Sequence, residues 1–283
     1  MVFLIYFVSC KDKVVYLDNS YPDLTPKLYA VGIINTEGRF QQNLTMSPDG
    51  KEHLFTVTDS ELWIYESILR VRNNGVKIVV DTPSFVTNFK YKSQQFIGEP
   101  MISPDNQNLF FIADYPPNIW RAKRMGNEDW SQLTEMTELS TQKDDWYVTI
   151  SQNDNLYFTN GTVYKSTLKN GNYESKTKLE SHFNQKDTRD PCISPDEDYM
   201  IFTADDSLST NQSDLFISFN DGNGNWSKPQ SLGNKINTEH REFAPYISPD
   251  EKYLFFSRRD KWQNAEFSNI YWVSLKIIDK FRN

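Results

Sequence analysis

The chain has 283 residues, a net charge of −8 and a pI near 5.0. That acidity, with no run of five or more Lys or Arg, excludes a polyanion such as DNA or RNA as a natural partner, because phosphate binding rests on clustered cations. Aromatics make up 14% of the residues, which suits half-buried strands, and the length fits two average domains or one closed β fold of about 200–250 residues.

The N-terminus opens on an apolar run, Met1 to Ser9, followed by Cys10 and the charged Lys11-Asp12-Lys13. The run is too short to span a bilayer, which takes about 20 apolar residues. It reads as the end of a secretory h-region, and Val8-Ser9-Cys10 resembles a bacterial lipobox in which Cys10 is lipidated. No basic stretch precedes it, so a buried N-terminal strand with an incidental cysteine stays open beside the lipid anchor. Residues 1–24 are therefore expected to be a signal-like N-terminus and tether, and 25–283 a single domain. The other cysteine, Cys192, lies far away in sequence and reads as a buried free thiol. The two form no close pair, which speaks against a zinc site, and no metal or other cofactor is expected.

From residue 40 onward one pattern recurs. Ser47-Pro48-Asp49-Gly50, Ser103-Pro104-Asp105, Ser194-Pro195-Asp196 and Ser248-Pro249-Asp250 each sit between a short apolar run and an aromatic strand, and Ser151-Gln152-Asn153-Asp154 is a degenerate copy. The copies lie 43 to 56 residues apart, close to one four-stranded propeller blade of about 40–50 residues. Pro presets the turn and Asp accepts backbone hydrogen bonds within it, so these loud motifs have a structural task. Second strands follow at Leu54-Phe55, Leu109-Phe111, Leu156-Phe158, Met200-Phe202 and Leu254-Phe256. Third strands are expected at Leu62-Tyr65, Asn118-Trp120, Thr162-Tyr164, Asp214-Ile217 and Asn269-Trp272, and Gly/Asn turns then lead to more polar outer strands.

The last copy runs out after its third strand. Near the other end, Leu28 to Thr36 matches Gln230 to Thr238, read as the outer strand before the fifth copy, with Ile34-Asn35-Thr36 repeated as Ile236-Asn237-Thr238. The N-terminal strand is thus expected to complete the last blade and to leave no open sheet edge. The count is five four-stranded blades. A sixth stays open if a degenerate copy lies in residues 66–96. The Ser-Pro-Asp-Gly turn, the aromatic strand and the Asn269-Ile270-Tyr271-Trp272 phrase resemble the TolB-like, WD-repeat-like β-propeller family over roughly residues 25–278, and small bacterial envelope members in particular. The resemblance implies a cell-envelope location and the binding of an envelope protein or glycan.

In such a fold the loops entering each first strand and leaving each second strand meet at one mouth. Entering are Asn43, Glu99, Asp145, Arg189 with Asp190, and Arg241 with Glu242; leaving are Asp59, Asp114, Asp205 with Asp206, and Arg258-Arg259-Asp260. The expected ligand-binding set is Glu99, Asp114, Asp145, Trp146, Arg189, Asp190, Arg241, Glu242 and Arg258, with Tyr115 as a second stacking face beside Trp146. Arginine forks suit carboxylates and aromatic faces suit sugars. The expected function is a non-catalytic envelope binding protein. The alternative is a glycoside hydrolase using two of Glu99, Asp145, Asp190 and Glu242. His53, His182 and His240 read as surface histidines, since no Gly-x-Ser-x-Gly or His-Glu-x-x-His motif accompanies them.

Overall fold

A computed structural model of the chain describes residues 13–59, 66–92, 96–126, 129–179, 188–205, 213–261 and 263–282. Cys10, His182, Asp206 and the third strand expected at 62–65 lie outside those residues.

The described strands form five antiparallel four-stranded sheets and one small hairpin. Blade 1 comprises Phe40–Met46, Glu52–Thr58, Glu66–Asn73 and Ile78–Asp81. Blade 2 comprises Ile97–Ile102, Asn108–Ala113, Asn118–Met125 and Asp129–Glu135. Blade 3 comprises Trp146–Ile150, Leu156–Thr159, Val163–Ser166 and Thr177–Lys178. Blade 4 comprises Arg189–Ile193, Tyr199–Asp205, Ser213–Phe219 and Gln230–Ser231. Blade 5 comprises Arg241–Ile247, Tyr253–Arg259, Ser268–Ser274 and the early strand Lys27–Leu28. The inner strands contact one another around a ring, and blade 1 closes on blade 5. Residues 66–96 hold the two outer strands of blade 1 and a short helix, Ser84–Thr87, so the wide spacing there is no sixth blade.

Closure works as the repeated Ile-Asn-Thr suggests. Lys27 and Leu28 pair with Trp272 and Tyr271. Asn35 then donates Nδ2 to the carbonyls of Tyr29 (2.6 Å) and Ile270 (2.7 Å), and accepts the Ile270 N–H on Oδ1 (2.9 Å). Asn237 bridges blade 4 in the same way, exchanging both hydrogen bonds with the backbone of Leu215. One side-chain amide thus stands in for a ladder rung at each place, and the two buried asparagines satisfy backbone groups that the short outer strands leave unpaired.

The Ser-Pro-Asp turns are equally explicit. Each serine is almost wholly buried. Its Oγ accepts the N–H that opens the second strand, from Glu52 (3.0 Å), Asn108 (2.9 Å), Tyr199 (3.1 Å) and Tyr253 (3.0 Å). It donates to the aspartate two residues on, as in Ser47 to Asp49 at 2.7 Å and Ser248 to Asp250 at 2.9 Å. Blade 3 lacks that aspartate and borrows an acid from the next blade. Glu197 accepts Ser151 Oγ (2.8 Å), Asn155 Nδ2 (2.5 Å), Tyr157 Oη (2.6 Å) and Lys165 Nζ (2.7 Å). Against the cost of burial, those donors hold its carboxyl down at about 2.

Two expectations change. His53 is no surface histidine: it is fully buried, its Nε2 lies 2.9 Å from Tyr29 Oη, and burial lowers its proton affinity to about 3. Within the expected tether, Val14 is buried and Tyr16 donates to Asp250 Oδ1 at 2.5 Å, so this stretch lies against blades 5 and 1. Cys192 is a buried free thiol, and burial pushes it up to about 12.

Candidate functional site

Every inner strand carries a β-bulge at the same place, between Gln42 and Leu44, Gly98 and Met101, Trp146 and Thr149, Arg189 and Cys192, and Phe243 and Tyr246. The bulged residues Asn43, Glu99, Tyr147, Asp190 and Ala244 all have φ between 45° and 53°. None is glycine, and such a backbone costs roughly 1–3 kcal/mol at each position. A bulge re-aims a side chain out of the strand's alternation. Here it sends one residue per blade toward the axis, and the five are chemically different.

Neighbouring blades hold the bulges in place. Thr56 Oγ1 accepts the Glu99 N–H (2.9 Å) and Ser257 Oγ accepts the Asn43 N–H (3.1 Å). Two bulged acids do the same for the next bulge. Glu99 Oε2 accepts the Tyr147 N–H at 2.7 Å, and Asp190 Oδ2 accepts the Ala244 N–H at 3.0 Å together with Thr203 Oγ1 at 2.9 Å. Tyr147 reaches from blade 3 to the Pro245 carbonyl of blade 5 at 2.7 Å, packs with Phe243 and Ala244, and crosses the centre of the ring.

Above it lies a cavity of about 60 Å³ lined by Gln42, Asn43, Glu99, Arg189, Asp190, Thr203, Ser213, Arg241 and Phe243. Glu99 and Asp190 are half-buried and open onto it. Desolvation, and then the neighbouring Asp190 charge, push Glu99 up to about 8. Desolvation also raises Asp190, against the pull of the Ala244 N–H, Arg189, the Thr203 hydroxyl and Arg241. A third carboxyl, Glu66, is 2% exposed behind Gln42, whose Nε2 donates to it at 2.9 Å. Burial, the Glu99 charge and the Asp59 charge raise it well above the usual range. Gly98 is needed beside it, because a Cβ there would collide with the Glu66 carboxyl.

The structure therefore brings four of the expected residues, Glu99, Arg189, Asp190 and Arg241, to one cavity. The other five do not line it. Asp145 accepts Thr141 N (2.9 Å) and Oγ1 (2.6 Å), and Glu242 accepts Thr238 N (3.0 Å) and Oγ1 (2.7 Å), so each ties down the loop before its strand. Arg258 donates Nε to Glu242 (2.6 Å) and lies over Tyr271. Asp114 accepts the Lys92 N–H (2.8 Å), and Trp146 packs edge-on against Phe96. Tyr115 is largely exposed. Sequence reasoning missed Gln42, Glu66, Tyr147, Thr203, Ser213 and Phe243. The one available signal was their place in the repeat, since Tyr147 aligns with Glu99 and Asp190. Among the described residues no cluster of His, Cys, Asp and Glu is arranged to hold a metal ion, and no helix is long and apolar enough to cross a membrane.

No protein-family model matches the chain, and no curated protein matches it either. Solved structures do resemble it. The catalytic domain of the GH62 α-L-arabinofuranosidase of Coprinopsis cinerea superposes with a TM-score of 0.56 at 8% identity, over 89% of this chain and 97% of that one. The GH43 endo-arabinanase of Bacillus licheniformis gives 0.55 at 12% identity, over 84% and 94%. TolB of Acinetobacter baumannii gives 0.53 at 15% identity over 84% of this chain, which spans 55% of that protein's length. At these identities the likeness is one of fold, and it includes a TolB-like propeller. The expectation of a purely non-catalytic binding protein is corrected by this comparison: glycoside hydrolases match almost end to end, whereas TolB matches through only part of its length.

Proposed function

We propose that the chain is a glycoside hydrolase whose reaction centre is the Glu99–Asp190 pair. The supporting observation is two half-buried carboxyls from the bulges of blades 2 and 4, on either side of Tyr147, opening on one cavity and held in unlike surroundings. Burial raises both acids, Glu99 to about 8, but only Asp190 has two hydrogen-bond donors and two arginines that oppose the rise. Such unlike surroundings assign the roles of two acids. Glu99 is the general acid: its Oε2 is occupied by the Tyr147 N–H, which leaves Oε1 to carry the proton. That proton passes to the glycosidic oxygen as the bond to the anomeric carbon breaks. Asp190 either takes a proton from the attacking water or attacks the anomeric carbon itself, with water then releasing the sugar; in both cases one water is consumed and two hydroxyl products form. The resemblance to arabinan- and arabinoside-cleaving propellers supports the same reaction class.

A panel of 4-nitrophenyl glycosides and plant and bacterial glycans, scored by released phenol and reducing ends, tests the reading. Hydrolysis that disappears in Glu99→Gln and Asp190→Asn sustains it. Hydrolysis that survives in both variants, or none with any substrate, defeats it. Proton NMR of the first-formed anomer then decides between the two roles of Asp190. In this reading the lipobox-like Cys10 tethers the enzyme at the cell envelope, so palmitate labelling should vanish in Cys10→Ser; the same labelling in that variant overturns the anchor.

A further inference from the structure

We propose that the cavity selects a terminal sugar bearing a carboxylate, a uronic acid, whose acid group sits against Arg189 and Arg241; this rests on the hydrolase reading above. The two arginines come from the inner strands of adjacent blades and line the same wall. A guanidinium offers a rigid fork of donors that matches a carboxylate. Arg241 also lies directly across the ladder from Arg259.

Arg189 and Arg241 share this wall with the acids Asp190 and Asp205. Desolvation and then the Arg189 charge lower the proton affinity of Arg241, so the two guanidiniums repel each other in a partly dry place. Asp205 pairs with Arg189 but is exposed on the solvent side, and Asp190 faces both arginines. Burial raises Glu99 to about 8 and raises Glu66 as well, which weakens the counter-charge they offer. A substrate carboxylate between the two guanidiniums would relieve their repulsion.

The cavity also carries unmatched polar atoms. Arg189 Nε, Ser213 Oγ, Asn43 Oδ1 and Gln42 Oε1 are buried without a hydrogen-bond partner, and Gln42, Asn43 and Ser213 are at most 3% exposed. Buried groups in this state signal a missing ligand, since each costs about 1–3 kcal/mol unpaired. Nε suits a carboxylate, whereas the two amide oxygens accept from ring hydroxyls. A volume of about 60 Å³ holds about four waters at about 15 Å³ each, room for one end of one sugar and not for a continuous chain. Phe243 supplies an apolar wall for the ring's C–H face.

Titration calorimetry on the full chain with D-glucuronate, D-galacturonate, D-glucose and L-arabinose reads the preference without turnover. A uronate should bind at least tenfold tighter than the neutral sugars, weaken with added salt, and lose that margin in Arg189→Leu, a change at a half-exposed position. Equal binding of neutral sugars, or a margin intact in Arg189→Leu, overturns the proposal. Hydrolysis separates it from the underlying reading. Glu99-dependent cleavage of neutral arabinosides with no uronate preference keeps the hydrolase and removes the specificity. Selective uronate binding with no glycoside cleaved does the reverse.

Discussion

The two ends of the central channel are made by the same five strands and have opposite chemistry. At the Ser-Pro-Asp end lies a cavity of about 350 Å³ whose walls include Met46, Met101, Ile150, Cys192, Ile193 and Ile247, rimmed by turn prolines. Nearly the same residue types recur there from blade to blade. At the other end the bulged residue is Asn, Glu, Tyr, Asp or Ala, different in each blade. Tyr147 separates the two ends. In a repeat protein, what repeats maintains the fold, and what departs from the repeat at an equivalent position is where chemistry is placed.

Breaking that comparison is straightforward. The largest effect should come from Glu99→Gln, which removes a general acid and should lower kcat by roughly 10²–10⁴-fold while leaving circular dichroism unchanged. Loss of folded signal instead would make Glu99 a structural acid like Glu242. Next, Ile193→Ala at the apolar end should cost about 2–4 kcal/mol of unfolding free energy, with kcat in the folded fraction unaffected. A fall in kcat there would mean the two ends are coupled through Tyr147. Smaller again is Glu197→Gln in the borrowed turn of blade 3, about 1–3 kcal/mol from lost charged hydrogen bonds. Its sign with pH is fixed. Glu197 is held at about 2 when folded, so its contribution is complete above the ordinary glutamate value of 4.5 and fades as pH falls from there to about 2. Wild type and variant should converge in urea melts near pH 2, and parallel curves from pH 7 to pH 2 would refute the account.

The fold was legible because its causes are local. Ser-Pro-Asp turns, aromatic second strands and the duplicated Ile-Asn-Thr each state a hydrogen-bond pattern that two or three residues suffice to make. The site was half legible, for a physical reason. Position in the repeat marked Glu99, Arg189, Asp190 and Arg241. It could not tell them from Asp145 and Glu242, which occupy similar loop positions yet spend their oxygens on threonines four residues earlier. Only at the bulge, two residues further along, is a side chain turned inward, and a bulge at a non-glycine residue leaves no mark in the sequence. Glu66 was hidden more deeply, since it reaches the centre from a third strand through the space left by Gly98. His53 escaped because its partner, Tyr29, belongs to the closing segment 24 residues away.

The smallest effect is the one that most sharpens the contrast between the two ends. An acid kept protonated by its surroundings should weaken the fold as pH rises. Glu99 titrates at about 8 in the folded chain and at 4.5 when unconstrained. Across that window the folded state retains a proton that the unfolded state has released. Stability contributed at this position is therefore highest below 4.5, declines as pH climbs toward 8, and is flat beyond. Glutamine cannot titrate and keeps an oxygen for the Tyr147 N–H, so Glu99→Gln should raise the unfolding midpoint by about 2–4 °C above pH 8, the equivalent of about 1 kcal/mol in a chain near this size. At pH 4 it should change nothing. The same substitution that abolishes turnover would then make the protein harder to unfold, which no residue of the apolar end should do. An equal shift at both pH values would trace the gain to packing and remove the argument that this ring position is held under strain for chemistry.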